Sequence, residues 1–181
     1  MKAMDWLDKL NITILAALVA VTLGMLLQHG LAARQQGDGA PSAEELLQKA
    51  YREEVARDTA LFRDVRLLRE QGKTRQARAR LQEIIQAHPG IPYGYVARAR
   101  LDLAEGSLTG AITNFRRAID ARPEYVDRKT PLFIGKEIQA LVTEALGKLP
   151  RERKLKPDDK EIAMALRNVY YLQRRLAGGC E

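Results

Sequence analysis

The sequence predicts an all-α protein, and three observations carry that expectation. Charged residues make up 29% of the chain and aromatics only 6%, a composition suited to helices. Apolar residues recur at steps of three and four in runs separated by prolines and glycines, and no alternating strand-like pair is joined by an Asn-Gly or Asp-Gly turn. The third observation is an internal repeat. Gly72, Ala77, Ile85, Ala87 and Pro89 are answered 34 residues later by Gly106, Ala111, Ile119, Ala121 and Pro123, and Leu81 is answered by Phe115. A period of that length with these punctuators belongs to an array of helical hairpins.

Each repeated residue has a physical task. Gly72 and Gly106 stand where a helix must stop and reverse, which glycine does without a Cβ penalty. Ala77 and Ala111 fall early in each second helix, where a small side chain lets two backbones approach. Leu81 and Phe115 lie one turn later on the same face, and Ile84, Ile85, Ala118 and Ile119 extend that stripe. Pro89 and Pro123 end the second helices because proline lacks an amide donor and disfavours helix in the residue before it. This frame resembles the tetratricopeptide repeat family, and the resemblance implies a small right-handed array of about two repeats over 58–125. The first helices are degenerate, with Leu61, Val65 and Leu68 in one unit and Tyr95, Ala99 and Leu103 in the other. They depart from the family's fuller apolar pattern.

Ahead of the repeats, Leu10 to Ala33 is almost continuously apolar, broken only by Asn11, Thr13, Thr22, Gln28 and His29. A bilayer core of about 30 Å needs about 20 such residues in a helix, so residues 1–33 are expected to form an N-terminal transmembrane anchor with its span at Ile12 to Leu31. The competing reading is a cleaved secretory signal with Gly30 and Ala32 before the cut, although Asp5 and Asp8 dilute its positive region and the apolar run is long. Lys2 and Lys9 flank one side and Arg34 stands alone on the other, which places the repeats on the extracytoplasmic side of a bacterial-type inner membrane. Ala16, Ala20 and Gly24 recur every four residues on one face. They either admit a second transmembrane helix at close range or face only lipid.

Residues 34–41 read as a polar linker with two glycines and a proline. Ser42 opens a lead helix, 42–57, with a capping-box pattern that Glu45 completes. Its apolar stripe runs on to Leu68, so the stretch is one long helix or two helices broken near Asp58-Thr59. Residues 126–181 are expected to form a divergent hairpin that caps the array. Its first helix starts at Pro131, presents Ile134, Ile138, Leu141, Val142, Ala145 and Leu149 on one face, and closes at Pro150. A basic link from Arg151 to Lys156 follows, either touching anionic headgroups or solvated. The last helix begins at Pro157-Asp158-Asp159, buries Ile162, Leu166, Val169, Tyr170 and Leu176, and ends at Gly178-Gly179.

No catalytic signature is present. His29 and His88 have no second ligand at metal spacing, and Cys180 is the only cysteine and lacks an activating neighbour. There is no glycine-rich phosphate loop, nucleophile elbow or zinc-binding HExxH. The expectation is a protein without catalysis, cofactor or metal. The formal charge of +7 admits an acidic protein, anionic lipid or nucleic acid and chooses none of them. Nucleic acid is not expected, since the charge is spread along helices without interleaved aromatics.

The family resemblance implies a concave groove lined by the first helix of each repeat. Mapped onto this chain, it brings Thr59, Phe62, Arg66, Arg69 and Glu70 together with Tyr93, Val96, Arg100, Leu103 and Ala104. Arg66 and Arg100 repeat at the same offset. Two guanidinium forks beside Phe62, Tyr93 and Val96 suit an acidic or carboxylate-bearing segment with an apolar anchor, though the arginines also read as solvated surface. The resulting expectation is a single-pass, membrane-anchored adaptor or scaffold that binds protein partners and assists assembly of a membrane or exported complex. The alternative is a stoichiometric, non-catalytic subunit of a membrane complex, for example a respiratory or cytochrome-bearing one.

Overall fold

The computed structural model describes residues 14–26 and 41–178, and every regular element among them is helical. In chain order these are α1 (residues 14–26), α2 (Ala43–Leu61), α3 (Arg63–Glu70), α4 (Thr74–Ala87), α5 (Tyr93–Ala104) and α6 (Leu108–Ala121). A 3-10 turn at Pro123–Val126 leads to α7 (Gly135–Leu155) and α8 (Lys160–Leu176). The chain divides into two compact units between Leu46 and Leu47.

The first unit corrects the expectation of a transmembrane helix. No helix among the described residues is long and apolar enough to cross a membrane. The rest of the expected span, residues 12, 13 and 27–31, lies outside the described residues, as do Lys2, Lys9, Asp5, Asp8, His29, Arg34, Gly179, Cys180 and all of the linker but Pro41. Ala16, Ala20 and Gly24 are exposed on α1.

In the second unit three hairpins follow one another: α3 pairs with α4, α5 with α6, and α7 with α8, while α4 and α3 lean on α5 and α6 leans on α8 and α7. The first two hairpins share the same turn and a second helix of the same length, 14 residues. Gly72 and Gly106 adopt φ of 71° and 77°, the left-handed region glycine enters freely. The amide of Lys73 donates to the Leu68 carbonyl at 2.9 Å, and that of Ser107 to the Asp102 carbonyl at 2.8 Å, the six-to-one bond that closes a helix C-terminus. Both second helices stop two residues short of a proline, with His88 and Arg122 drawn out to ψ of 71° and 86°. Ala77 and Ala111 are wholly buried, as are Phe115 and, to within 2%, Leu81.

Two apolar cores result. The smaller joins Phe62, Val65, Leu81 and Ile84 of the first hairpin to Ala97 and Leu101 of α5. The larger joins Val96 and Ala99 of α5 to α6, the Tyr125 turn, α7 and α8. Helix α5 therefore buries two faces, and this is why its apolar pattern looks degenerate in sequence. A polar pin crosses the hairpins beside these cores: Arg78 Nη2 donates to Asp102 Oδ1 at 2.9 Å, and Asn114 Nδ2 donates to Asp102 Oδ2 at 2.6 Å. Asp102 and Asn114 are both buried, and each finds the partner that burial demands.

Several helix ends differ from expectation for identifiable reasons. The break in the lead stretch falls at Phe62, φ −96° and ψ 11°, because that ring turns into the smaller core. At the start of α2 the Ser42 hydroxyl accepts from the Glu45 amide at 3.1 Å and Glu45 Oε2 accepts from the Ser42 amide at 2.8 Å. Helix α7 begins at Gly135, after a turn in which the Ile134 amide donates back to the Tyr125 carbonyl at 2.9 Å. It runs through Pro150 to Leu155. The proline removes one backbone bond, but Leu149 is anchored in the core and Arg153 Nη1 ties the following turn to the Asp159 carbonyl at 3.0 Å. Asp159 caps α8 through bonds from the Glu161 and Ile162 amides.

Because Phe115 fills the seam that the repeat frame creates, Phe115→Ala is expected to cost about 3–5 kcal/mol in urea unfolding. Ala121→Ser, at the exposed repeat position, is expected to stay within about 0.5 kcal/mol of the wild type.

Candidate functional site

A groove runs between α3 and α5, lined by Thr59, Phe62, Val65, Arg66, Arg69, Tyr93, Ala97 and Arg100. Its floor is the edge of the smaller core. Phe62 is 4% exposed and meets Tyr93 edge to face, ring centroids 5.2 Å apart at 60°, a preferred aromatic geometry. The space within it measures about 30 Å³, on the order of two water molecules. The groove thus admits the tip of a side chain lying across it and has no room to bury a small molecule.

Six of the ten residues that the sequence brings to the groove line it: Thr59, Phe62, Arg66, Arg69, Tyr93 and Arg100. Val96 does not. It is wholly buried in the larger core, because α5 turns a second face toward α6, and Ala97 takes its place in the wall. Leu103 packs against the larger core as well. Ala104 is exposed at the end of α5, and Glu70 stands 3.9 Å from Arg69.

The three arginines differ in state. Arg100 is fully engaged: Nε and Nη2 donate to the Glu137 carboxylate of α7 at 2.8 to 3.2 Å, and Nη1 donates to the Tyr93 hydroxyl at 2.6 Å. Its guanidinium also lies 5.5 Å from the Tyr93 ring centroid. Burial works against this charge, and the Glu137 bonds outweigh it, so the pKa is raised. Arg66 is exposed and makes no side-chain hydrogen bond or ion pair with a described residue; Arg69 has only the long Glu70 contact. The fork free to take a carboxylate is therefore Arg66 with Arg69, not Arg66 with Arg100. Glu137 carries no sequence signal for this role, since it lies 37 residues from Arg100 in a hairpin outside the repeat frame.

Beside the groove, α2 is docked by a second set of polar contacts that the sequence does not announce. Gln48 Nε2 donates to the Lys129 carbonyl at 3.0 Å, the Tyr51 hydroxyl donates to Glu124 Oε1 at 3.3 Å, and Glu54 pairs with Arg122. Asp58, next to the groove residue Thr59, is 8% exposed and has no side-chain hydrogen bond among the described residues. Burial, and then the nearby Glu54 charge, push its pKa up to about 6, against the pull of Arg57 and Arg122. The Tyr125 hydroxyl is buried without a hydrogen-bond partner, and burial followed by the Asp58 and Glu54 charges raises its pKa too. Among the described residues no group of three His, Cys, Asp or Glu is placed to hold a metal ion.

Comparison of the chain with protein-family models, with curated proteins and with solved structures returns no match.

The Asp58 carboxyl binds its proton more tightly in the folded state than in the unfolded chain, so its effect on stability is favourable below about pH 4 and is lost as pH rises through 6. Asp58→Asn is expected to match the wild type near pH 4 and to exceed it at pH 7 by on the order of 2 kcal/mol. Urea unfolding of both proteins across that range measures the difference.

Proposed function

We propose that this chain is a tetratricopeptide-like binding module, without catalysis of its own, whose α3/α5 groove takes an acidic protein segment carrying a carboxylate beside an apolar side chain. The observation that supports this most directly is the pairing of unlike neighbours in one wall. Arg66 and Arg69 stand in a groove with the aromatic pair Phe62 and Tyr93 and with little or no carboxylate of their own, whereas Arg100 in the same groove is saturated by Glu137. A charge-assisted bond from such a guanidinium contributes about 1.5–3 kcal/mol. The small cavity favours a segment laid across the surface over a ligand swallowed by it.

A second reading, a permanent non-catalytic subunit of a larger complex, draws support from apolar side chains left exposed on separate helices, Leu47 at 50%, Leu67 at 42% and Met164 at 49%. The two readings part in a native purification. An adaptor is recovered in variable ratio with its partner and a subunit in fixed ratio.

The direct test is fluorescence polarisation of a labelled peptide built from an EELD repeat against the wild type and an Arg66→Ala/Arg69→Ala variant. Saturable binding weakened at least about tenfold, equivalent to about 1.4 kcal/mol, is the expected result. Equal binding by both proteins would remove the groove from the account.

A further inference from the structure

Two adjoining clefts lie at the other end of the array, where the Pro123–Val126 turn and the segment leading into α7 meet the last turn of α8. One holds about 460 Å³ and the other about 640 Å³, and both are lined by Arg128 and Leu176. These are volumes that small organic ligands fill, more than tenfold that of the groove.

Four cations stand around this space, Arg128 and Lys136 in the first cleft and Lys129 and Arg175 in the second. None of the four makes a side-chain hydrogen bond or ion pair with a described residue, and the Arg175 Nε is buried without a partner. Two acids line the second cleft as well, and both have other contacts: Glu124 receives the Tyr51 hydroxyl and lies 3.8 Å from Arg122, and the Asp127 carboxylate accepts the Lys129 backbone amide at 2.9 Å. The apolar wall is Phe133 with Leu176. Phe133 lies so close over Gly135 that a Cβ there would come within 2.2 Å of the ring. The glycine is what allows the aromatic face to sit in the cleft.

We propose that this double cleft binds a small organic anion, a phosphate or carboxylate head on an aromatic or aliphatic body. The Arg128 and Arg175 forks and the Lys129 and Lys136 ammonium groups hold the head, and Phe133 and Leu176 cover the body. A cavity with unpaired cations on one side and an aromatic wall on the other discriminates in favour of such a molecule over a bare inorganic ion. This site is separate from the α3/α5 groove and stands or falls without it.

Isothermal titration of the full chain at low salt with phenyl phosphate, phenylacetate and inorganic phosphate tests the assignment. One aromatic anion is expected to bind at a single site, at least about tenfold more tightly than inorganic phosphate, and which of the two it is identifies the head. Arg128→Gln/Lys136→Gln is expected to lose at least about tenfold, and Phe133→Ala to lose the advantage over inorganic phosphate. Arg66→Ala/Arg69→Ala leaves the binding unchanged. Circular dichroism melting confirms that each variant is folded before its titration is compared. The proposal fails if neither aromatic anion binds saturably, if binding survives the Arg128/Lys136 change, or if inorganic phosphate binds as tightly.

Discussion

Helix α5 is the constraint on which the rest of the second unit depends. Its residues Ala97 and Leu101 complete the smaller core, while Val96 and Ala99, on the opposite side, enter the larger one. A twelve-residue helix that buries two faces has little surface left for display. What remains is two narrow edges, and Tyr93 and Arg100 occupy the one that faces the groove. The groove is narrow for the same reason: the helix forming one wall is committed to packing on both sides.

The polar groups follow from that arrangement. Arg78 reaches from α4 to Asp102 at the end of α5, and Asn114 reaches the same carboxylate from α6, so one buried acid is shared by three helices. Arg100 is held by Glu137 from the third hairpin in the same manner. Asp102 is the buried member of this set, so removing its partners leaves a buried charge without compensation, the costly case for buried ions. These bridges tie the neighbouring helices to α5, and they leave Arg66 and Arg69 as the arginines of the groove not claimed by a strong internal partner.

The all-α character and the hairpin frame were legible because they rest on local rules. Gly72 and Gly106 answer a backbone need, Pro89 and Pro123 end helices by lacking a donor, and Ala77 and Ala111 mark close approach. The transmembrane expectation rested on hydropathy over residues 10–33, and no helix among the described residues is long and apolar enough to cross a membrane. Pro150 misled in another way, since a proline inside a helix costs a bond and core burial of Leu149 outweighs it. Val96 was misplaced because a single apolar stripe was read on a helix that has two. Glu137, Asp58 and the Phe133 wall were invisible, because each acquires its meaning only from residues on other helices.

The two cores are unequal. Seven buried side chains make up the one around the first hairpin, against seventeen in the one that joins α5 to the rest. Local opening draws on the least buried contacts first, which makes the first hairpin the more weakly held foldon and α5 part of the stronger one. The walls of the groove are thus expected to differ in protection, α3 exchanging its amides with the weaker region and α5 with the stronger. A segment bound across both would act as a staple, slowing hydrogen exchange in α3 and α4 by mass action while leaving α7 and α8 unchanged, so occupancy of the groove would be read out as rigidity in one hairpin alone.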